Sequence, residues 1–517
     1  MSDSTPEAPL MIGVSGLRGI VGESLTPEVA MRFARAFGAW LDHQDPYQDC
    51  YDVAIAHDGR AGYDLVYQAA IAGLLGAGWR VIPLGKAMTP TVGHFVESTD
   101  YCAGALVVTA SHNPAEWNGL KCISAVHDES GGRTEACAPP SEVAGEIIRR
   151  YHDVDFARAV HPLSVGTPNE RPADFREPCL APVNSGATAA HAKAVRDSIW
   201  RPKIEAVFEA AAKRSYIAVV DSVNASGAMA VQHLCAHFRR DEDVFQIYPI
   251  QMHGDNSGIF PHTPEPTAEN LSGKGGLCQA VPNVKAHIGF AQDPDGDRLA
   301  IVDETGRYIG EEYTLALCAV SILGARQASG EMANGEVVLC ANLSTSRMID
   351  DIAAEYGASV VRTAVGEANV VEAMKRLKRD GKTVLLGGEG NGGVIWPAVT
   401  YVRDSLGSMA LVLSLMARTG KAVSELVADI PSYAIVKRKQ PLAQKEDATP
   451  AIERIAEHYA SERVDTQDGV RVDFDAKRAW VHVRASNTEP ILRLIAEAED
   501  EAVANQILNE VAKLVKG

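Results

Sequence analysis

Ser111 is the residue of this sequence that is best placed to act as a nucleophile. It lies in the segment 109–114 (TASHNP), directly after the apolar run 103–108, which predicts a β-strand. The Asn-Pro pair turns the chain, so the serine is displayed at the carboxyl edge of a sheet, where α/β proteins bind ligands. The alternative interpretation is that Ser111 only hydrogen-bonds the backbone of a turn.

Two residues near Ser111 could assist it. His112 follows directly, and Lys121 lies ten residues further on, where its ammonium group could hold a phosphate or move a proton. A hydrolase triad is not indicated, because His112 is adjacent to the serine in sequence and no Gly-x-Ser-x-Gly motif surrounds it.

Three aspartates alternate along the segment 293–298 (DPDGDR), between the apolar runs 286–291 and 299–302. Carboxylates in this pattern can converge on one hard cation, and oxygen-only ligation favours Mg²⁺ over zinc or copper. A calcium-binding EF-hand is disfavoured because Arg298 stands where that motif has glycine. A solvated acidic turn is a further alternative, although such close carboxylates repel each other without a cation. The predicted ligands are Asp293, Asp295 and Asp297.

The glycine-rich segment 387–393 (GGEGNGG) contains a formal Gly-x-Gly-x-x-Gly pattern. The apolar residues 394–397 follow it instead of a helix start, so dinucleotide binding is not supported. Glu389 can accept hydrogen bonds, and Asn391 can donate and accept them, which suits recognition of several sugar hydroxyls. The alternative is a tight turn with incidental polar residues.

The segment 484–490 (RASNTEP) combines a guanidinium group, two hydroxyls and an amide in a turn, and a second arginine follows at 493. Such groups form a cradle for a phosphate, with arginine binding in a forked geometry. The alternative is a hairpin loop capped by serine and threonine. A weaker motif, 13–19 (GVSGLRG), places Arg18 among glycines. The predicted phosphate-binding residues are Arg484, Ser486, Asn487, Thr488 and Arg493.

These segments belong to a chain that alternates short apolar runs with amphipathic stretches, which predicts mixed or parallel sheets covered by helices. The stretch 126–190, rich in Pro, Gly, Ser and charge, predicts an insertion and linker. After residue 431 alternating strands and a last helix predict a small α+β domain. Strands are predicted at 51–56, 80–84, 103–109, 216–221, 286–291, 299–302, 337–340, 359–362, 383–386, 470–474, 480–484 and 491–496, and helices at 63–75, 141–151 and 501–515.

Length and composition limit the class of protein. A chain of 517 residues with 46% hydrophobic and 22% charged residues predicts three or four globular domains. The net charge of −18 argues against nucleic acid or an anionic membrane as the main partner. The apolar runs are much shorter than the ~20 residues needed to span a membrane, and the first residues contain no secretory signal pattern. The nine cysteines are scattered along the chain, which favours reduced thiols over disulfides. We therefore expect a cytoplasmic protein.

Taken together, these motifs resemble those of the α-D-phosphohexomutase superfamily, which includes phosphoglucosamine, phosphomannose and phosphoglucose mutases. They occur in the family's order from Gly13 to Arg493 and span nearly the whole chain. Further matches are 57–60 (HDGR), 260–266 (FPHTPEP) and 365–370 (VGEANV). Two features depart from the common pattern: the insertion is longer, and the sugar loop has EGNGG where many members have Glu-x-Ser-Gly-His. That loop resembles the version in archaeal-type phosphoglucosamine and phosphomannose mutases.

The resemblance implies four domains in a heart shape around a central cleft, three α/β with mixed sheets and a small C-terminal α+β domain. The implied limits are 1–195, 196–311, 312–431 and 432–517. It implies a Mg²⁺ ion held by phosphorylated Ser111 with the three aspartates. The implied catalytic residues are Ser111, His112, Lys121, Arg18 and Arg298, and the implied substrate contacts are Glu389, Asn391, Arg484, Ser486, Asn487, Thr488 and Arg493.

The implied activity is the interconversion of hexose 6-phosphate and hexose 1-phosphate through a phosphoserine and a sugar bisphosphate, by a monomer or homodimer. Glucosamine phosphate is the favoured substrate, with mannose and glucose phosphates as alternatives. A metal-dependent phosphatase is disfavoured, because its Asp-x-Asp-x-Thr or Val pattern has no aspartate at the fifth position, where Asp297 stands. A catalytically inactive sugar-phosphate sensor is also disfavoured. Such a protein would tolerate loss of the serine or the aspartates, and all of them are present.

Overall fold

The computed structural model describes residues 9–13, 16–44, 50–125, 135–153, 179–199, 214–239, 245–333, 336–486 and 490–516. These residues form four sheets, three of them mixed and one antiparallel. The predicted α/β class with a C-terminal α+β domain is therefore confirmed. Two stretches of the predicted insertion, 126–134 and 154–178, lie outside the described residues.

The first sheet has six strands in the order β1-β2-β6-β5-β3-β4. Strand β3 pairs in parallel with β4 and β5, and the other pairs are antiparallel. Every residue of β5 is buried, which explains its unbroken apolar sequence. The strands are β1 Met11–Gly13, β2 Gly16–Ile20, β3 Asp52–His57, β4 Arg80–Lys86, β5 Cys102–Val108 and β6 Trp117–Ser124, and the accompanying helices are α1 Pro27–Gln44, α2 Tyr63–Gly76, α3 Thr89–Glu97 and α4 Ser141–His152.

The second sheet has the order β10-β9-β7-β8, with β7 parallel to β8 and β9, and β9 antiparallel to β10. Helix α5 spans the predicted domain limit at residue 195: Ala192, Val195 and Ile199 belong to the same core as β7 and α6, whereas Ala187 packs with the first domain. The elements are α5 Ala187–Ile199, β7 Ser215–Asp221, α6 Gly227–Arg239, β8 Gln246–Met252, α7 Ala268–Leu271, α8 Leu277–Asn283, β9 Ile288–Gln292 and β10 Leu299–Asp303.

The third sheet has the order β12-β11-β13-β14, with parallel pairs around β11 and an antiparallel hairpin of β13 and β14. Strand β14 confirms that no helix begins after the glycine-rich segment. The elements are α9 Glu312–Ala328, β11 Val337–Asn342, α10 Met348–Glu355, β12 Ser359–Thr363, α11 Glu367–Arg379, β13 Thr383–Glu389, β14 Gly393–Ile395, α12 Ser405–Thr419 and α13 Val423–Ala428.

The last sheet is antiparallel in the order β15-β19-β18-β17-β16, and two helices pack against it around one apolar core. The elements are β15 Ala434–Pro441, α14 Ala448–His458, β16 Arg463–Asp465, β17 Val470–Phe474, β18 Ala479–Ala485, β19 Ile491–Ala498 and α15 Glu501–Lys516. No helix in the described part of the chain is long and apolar enough to cross a membrane. The nine cysteines form no disulfide.

The first three sheets share one arrangement of four strands: β6-β5-β3-β4, β10-β9-β7-β8 and β14-β13-β11-β12. Numbered by their order along the chain within each set, the strands lie in the order fourth, third, first, second. In each sheet the third and fourth strands are antiparallel neighbours, and the loop that joins them carries one predicted motif. These loops hold Ser111, the three aspartates and the turn that follows Glu389. The repeat, invisible in the sequence, therefore brings three chemical segments to equivalent places in three domains.

Candidate active site

Ser111 lies at the carboxyl end of β5, where the loop toward β6 begins. Its φ of +52° is in the left-handed region, which residues other than glycine rarely adopt, and it is 3% exposed. Its backbone N–H donates to the Thr109 hydroxyl at 2.8 Å, and its own hydroxyl donates to Asp293 at 3.0 Å. This unusual backbone conformation is typical of functional residues, and here the hydroxyl faces the acidic loop of the second domain.

Arg60 holds the loop that carries Ser111. Its buried guanidinium pairs with Asp58 at 2.8 Å and donates to the carbonyl oxygens of Trp117, at 2.8 Å, and of Ser111. Asp58 also accepts a hydrogen bond from the Thr109 hydroxyl at 2.7 Å. The HDGR segment is recognisable in the sequence, but this positioning role is not, because the carbonyl partners of Arg60 lie 51 and 57 residues away along the chain.

The three aspartates meet in the loop between β9 and β10, and all are fully buried. One carboxylate oxygen of each lies within 4.8 Å of those of the other two. Lys121 on β6 places Nζ 2.6 Å from Asp297 and 3.3 Å from Asp295. Thr89, at the start of α3, donates to Asp295 at 2.7 Å. The acidic loop of the second domain is therefore held by the first domain, beside the serine.

The electrostatics of this cluster are unbalanced. Burial, with repulsion from the other two aspartates, raises the pKa of Asp293 well above its usual range. Burial also acts to raise the pKa of Asp297, but the charges of Arg403 and Lys121 outweigh it and hold that pKa well below its usual range. Despite its own burial, Lys121 has a raised pKa because the two nearest carboxylates stabilise its charge. Burial and the neighbouring carboxylates thus disfavour the ionised form of Asp293, and a bound cation would favour it.

The cluster fits a hard divalent cation. Two of its buried oxygens, Oδ1 of Asp295 and Oδ1 of Asp297, have no hydrogen-bond partner among the described residues, although the second makes a long ion pair, 4.0 Å, with Nε of Arg298. An unpaired buried carboxylate oxygen costs free energy unless it binds a cation. Because the donors are all oxygens, the set suits Mg²⁺ better than zinc or copper.

Three more predicted residues surround the serine. Arg18 on β2 donates to the side chain of Asn113 at 3.0 Å. His112 places Nδ1 3.2 Å from the Ser111 hydroxyl. Burial, together with the charges of Arg298 and Arg18, lowers the pKa of His112 to about 3, so its imidazole is neutral. Nε of Arg298 is buried without a hydrogen-bond partner among the described residues. These groups form an environment suited to an anion at the hydroxyl.

Arg403, between β14 and α12, was missed by the sequence analysis. Its guanidinium pairs with Asp297 at 2.5 Å, Glu389 at 2.7 Å and Glu367 at 3.3 Å. The residue is 7% exposed. In the sequence, Arg403 lies in the segment TYVRDS, which matches no recognisable motif. Its contacts in the folded protein show that it joins the acidic loop to the glycine-rich loop.

Glu389, at the end of β13, is held by protein groups on both oxygens. Oε1 accepts hydrogen bonds from Asn342 at 2.9 Å and from the backbone of Gly366 at 3.2 Å. Oε2 accepts from Arg403 at 2.7 Å and from Asn391 at 3.4 Å. The contact with Asn391 is the longest of the four, so it is the one that a ligand hydroxyl could most readily replace.

A cavity of about 770 Å³ opens beside Glu389, between the third and fourth domains. Arg484 at the end of β18 pairs weakly with Asp468, at 3.4 Å, and Ser486 is 3% exposed. Asn487 and Thr488 lie outside the described residues. The charged and amide side chains that line the cavity include Glu265, Glu312, Glu389, Asn391, Lys437, Lys439, Arg484 and Arg493.

The structure thus brings the predicted residues together in two connected groups. Ser111, Lys121 and the three aspartates form the first group, and the sugar loop and the arginine loop line the second. Arg403 joins the two groups through Asp297 and Glu389. The chemical roles of these residues stay predictions.

Four family descriptions match consecutive parts of the chain. They are phosphoglucomutase/phosphomannomutase alpha/beta/alpha domain I at residues 9–134, domain II at 196–306, domain III at 311–433 and the C-terminal domain at 435–514.

Whole-length relatives agree with these matches. A phosphoglucomutase/phosphomannomutase of Thermococcus kodakarensis is 33% identical over 514 residues, covering 98% of each chain. A probable phosphoglucosamine mutase of Methanopyrus kandleri is 33% identical over 508 residues, covering 98% of this chain and 97% of the relative. The crystal structure of a phosphoglucomutase/phosphomannomutase family protein from Burkholderia thailandensis shares the fold, with a TM-score of 0.74, 23% identity and 98% of each chain covered.

Replacing Arg403 by methionine is expected to destabilise the protein by about 3–5 kcal/mol, because it leaves buried carboxylates without their cation. Arg403→Lys keeps the positive charge but loses the planar guanidinium that binds several carboxylates at once. Its unfolding midpoint should lie between those of Arg403→Met and the wild type. Differential scanning calorimetry measures the shifts. Arg307→Met is the control, because its partly exposed guanidinium makes one ion pair, with Asp303. Equal unfolding midpoints for the Arg403→Met and Arg307→Met variants would contradict the bridging role.

Asp295→Asn keeps the shape of the side chain and removes one negative charge from the cluster. We expect Mn²⁺, as a spectroscopic substitute for Mg²⁺, to bind at least about tenfold more weakly, since even changes around metal ligands cost about 10- to 100-fold. Electron paramagnetic resonance measures the free Mn²⁺. Asp429→Asn, at an exposed pair with Lys421, is the control. Unchanged Mn²⁺ affinity in Asp295→Asn would exclude the cluster as the cation site.

Proposed function

The chain belongs to the phosphoglucomutase/phosphomannomutase family of phosphohexomutases, and on that premise we propose that it isomerises an amino-hexose phosphate through phosphorylated Ser111. The observation that carries the proposal is the 3.0 Å contact between the Ser111 hydroxyl and the aspartate loop of another domain. A hydroxyl, three carboxylates and an ammonium group lie together at one point, which supports a nucleophile beside a cation. Phosphoryl transfer requires little more from a protein than alignment and neutralisation of charge.

In the first half-reaction the phosphoryl group leaves the Ser111 oxygen and bonds to the free hydroxyl oxygen of a hexose monophosphate. The hydroxyl proton leaves the sugar, and the serine oxygen gains a proton, so the products are a hexose bisphosphate and free serine. Lys121, held as an ammonium beside the aspartates, is proposed to give its proton to the serine oxygen, and the proton released by the sugar hydroxyl restores the ammonium. Mg²⁺, which Asp293, Asp295 and Asp297 would hold, would supply positive charge that stabilises the transferring group.

In the second half-reaction the bisphosphate presents its other phosphate to Ser111 and returns that group to the serine oxygen. The bisphosphate therefore serves as intermediate and as activator of dephosphorylated enzyme. This reversal needs a distant site that binds either phosphate. Arg484 and Arg493 are proposed for it, with Lys437 and Lys439, because these basic residues line one cavity with the sugar loop. Ser486, two residues after Arg484, is proposed to contribute its hydroxyl.

Glucosamine phosphate is the proposed substrate, with mannose and glucose phosphates as the alternatives. Glu265, Glu312 and Glu389 line the same cavity and could face the ammonium group of an amino sugar. Burial, with the charges of Glu497 and Glu311, raises the pKa of Glu312 to about 8. Near neutral pH the carboxyl is therefore mostly protonated, and an ammonium group beside it would favour its ionised form. The name of the Methanopyrus kandleri relative supports the same choice.

Ser111→Ala should abolish isomerisation while leaving the fold intact. Removal of the acceptor oxygen leaves no route to the phosphoenzyme, so activity with glucosamine 6-phosphate and a hexose bisphosphate should fall below detection. Ser98→Ala, at a serine that caps the end of α3, is the matched control. Isomer formation at the wild-type rate by Ser111→Ala would overturn the role of Ser111. With the wild-type protein, release of free phosphate would favour a phosphatase, and no reaction would favour a sensor.

Glu312→Gln should lower the preference for glucosamine 6-phosphate over glucose 6-phosphate. The ratio of the two kcat/KM values expresses this preference, and loss of a carboxylate partner of an ammonium group should reduce it about tenfold. Glu269→Gln, at an exposed residue in α7, is the control. An unchanged ratio in Glu312→Gln would exclude amino-group recognition by this carboxylate.

A further inference from the structure

A second cluster of metal-binding side chains lies outside the active site, at the carboxyl edge of the second sheet. Asp221 ends β7, His253 directly follows β8, and His262 lies nine residues later. Nδ1 of His253 and Nε2 of His262 lie 3.0 and 2.9 Å from the same atom, Oδ2 of Asp221. One ligand atom from each side chain falls within 4.8 Å of the other two.

The hydrogen bonds of His262 do not fit a neutral imidazole. Its Nδ1 lies 2.8 Å from the carbonyl oxygen of Thr263, and its Nε2 faces the carboxylate of Asp221. Both partners can only accept, whereas a neutral imidazole has one N–H to donate. A cation or a second proton must therefore lie between Nε2 and the carboxylate. A histidine that donates from one nitrogen to a carbonyl and binds an ion with the other is the usual arrangement at metal sites.

The spacing of the donor atoms also suits a metal ion. Nitrogen and oxygen ligands lie about 2.0–2.2 Å from Zn²⁺, which places neighbouring ligand atoms roughly 3–3.5 Å apart. The two nitrogen–oxygen distances are 3.0 Å, at the lower limit of this range, and 2.9 Å, just below it. The carboxylate is 1% exposed, and the imidazoles of His253 and His262 are 29% and 19% exposed, so an ion can enter from solvent.

We propose that Asp221, His253 and His262 form a second metal site, which binds Zn²⁺ or a similar divalent transition-metal ion. Two imidazole nitrogens and one carboxylate oxygen favour such an ion over Mg²⁺, which takes oxygen ligands and water. The site is chemically distinct from the oxygen-only aspartate cluster. Three protein ligands leave room for water at the remaining positions.

A metal ion at this site would stabilise the contact between the first two domains. His253 and His262 stand at the two ends of the segment 253–262, which packs against the first domain. The backbone N–H of Ala61 donates to Gly258 at 3.2 Å, and a side chain at Gly258 would lie 1.8 Å from the Gly59 carbonyl oxygen.

The same segment reaches the support of the serine. The ring of Phe260 lies 5.4 Å from the guanidinium of Arg60, which bonds the carbonyl oxygen of Ser111. An ion that ties both ends of the segment therefore restrains the group that holds the nucleophile. The histidines and Asp221 would act as positioning residues, since they contact no reacting atom.

The test uses the full-length protein, freed of metal and then saturated with Mg²⁺ to fill the aspartate cluster. Zn²⁺ is titrated by calorimetry, and Co²⁺ is followed by its visible absorption. We expect one Zn²⁺ site and a Co²⁺ absorption band, with affinity lowered at least about tenfold in His253→Gln, His262→Gln and Asp221→Asn. His458→Gln, on the exposed face of α14, is the control and should behave as wild type.

A second measurement follows hydrogen exchange of the segment 253–262. Zn²⁺ should slow its exchange in the wild type and in His458→Gln but not in His262→Gln, provided that circular dichroism shows all three folded. If a variant does not fold, Asp221→Asn takes its place, because the amide keeps the bond from the Val223 N–H. Absence of Zn²⁺ binding in the wild type, or equal affinity in the ligand variants and the control, would overturn the proposal and favour a protonated His262.

Discussion

The arrangement of the domains depends on negative charge buried in one loop. Burial first, and repulsion from the two neighbouring carboxylates second, raise the pKa of Asp293 well above its usual range. The compensating groups come from different domains, Lys121 from the first and Arg403 from the third. The same ion pairs therefore connect side chains of the three α/β domains and set the electrostatics of the proposed reaction. A phosphate on Ser111 would add further negative charge and strengthen the need for a cation.

The repeated sheet topology explains how distant segments meet. The loops β5–β6, β9–β10 and β13–β14 are equivalent in the three α/β domains, and each carries a different chemical group. These groups are a hydroxyl, three carboxylates and a hydrogen-bonding turn. Contacts between domains bring the first two loops within hydrogen-bond distance, and Arg403 connects the third. The fourth domain contributes its own hairpin end at Arg484, across a cavity that also reaches the second domain.

Much of this arrangement could be predicted from the sequence, because buried strands leave continuous apolar runs. Strand β5 and the hairpin of β17 and β18 are examples. Strands β8 and β15 were missed, since their partly exposed residues include proline, glutamine and lysine and give no apolar run. Motifs with regular spacing, such as the aspartate loop, were recognisable. Arg60 and Arg403 were not, because their importance lies in contacts between residues far apart in sequence.

Ser111 itself is proposed to carry the transferable phosphate. The most direct test of this role is mass spectrometry of the protein after incubation with glucose 1,6-bisphosphate and Mg²⁺, followed by a chase with glucosamine 6-phosphate. The account predicts one phosphate on Ser111, which leaves the protein during the chase as hexose bisphosphate forms. A phosphate found at another residue, or one that stays on Ser111 while the sugar is isomerised at the full rate, would contradict it.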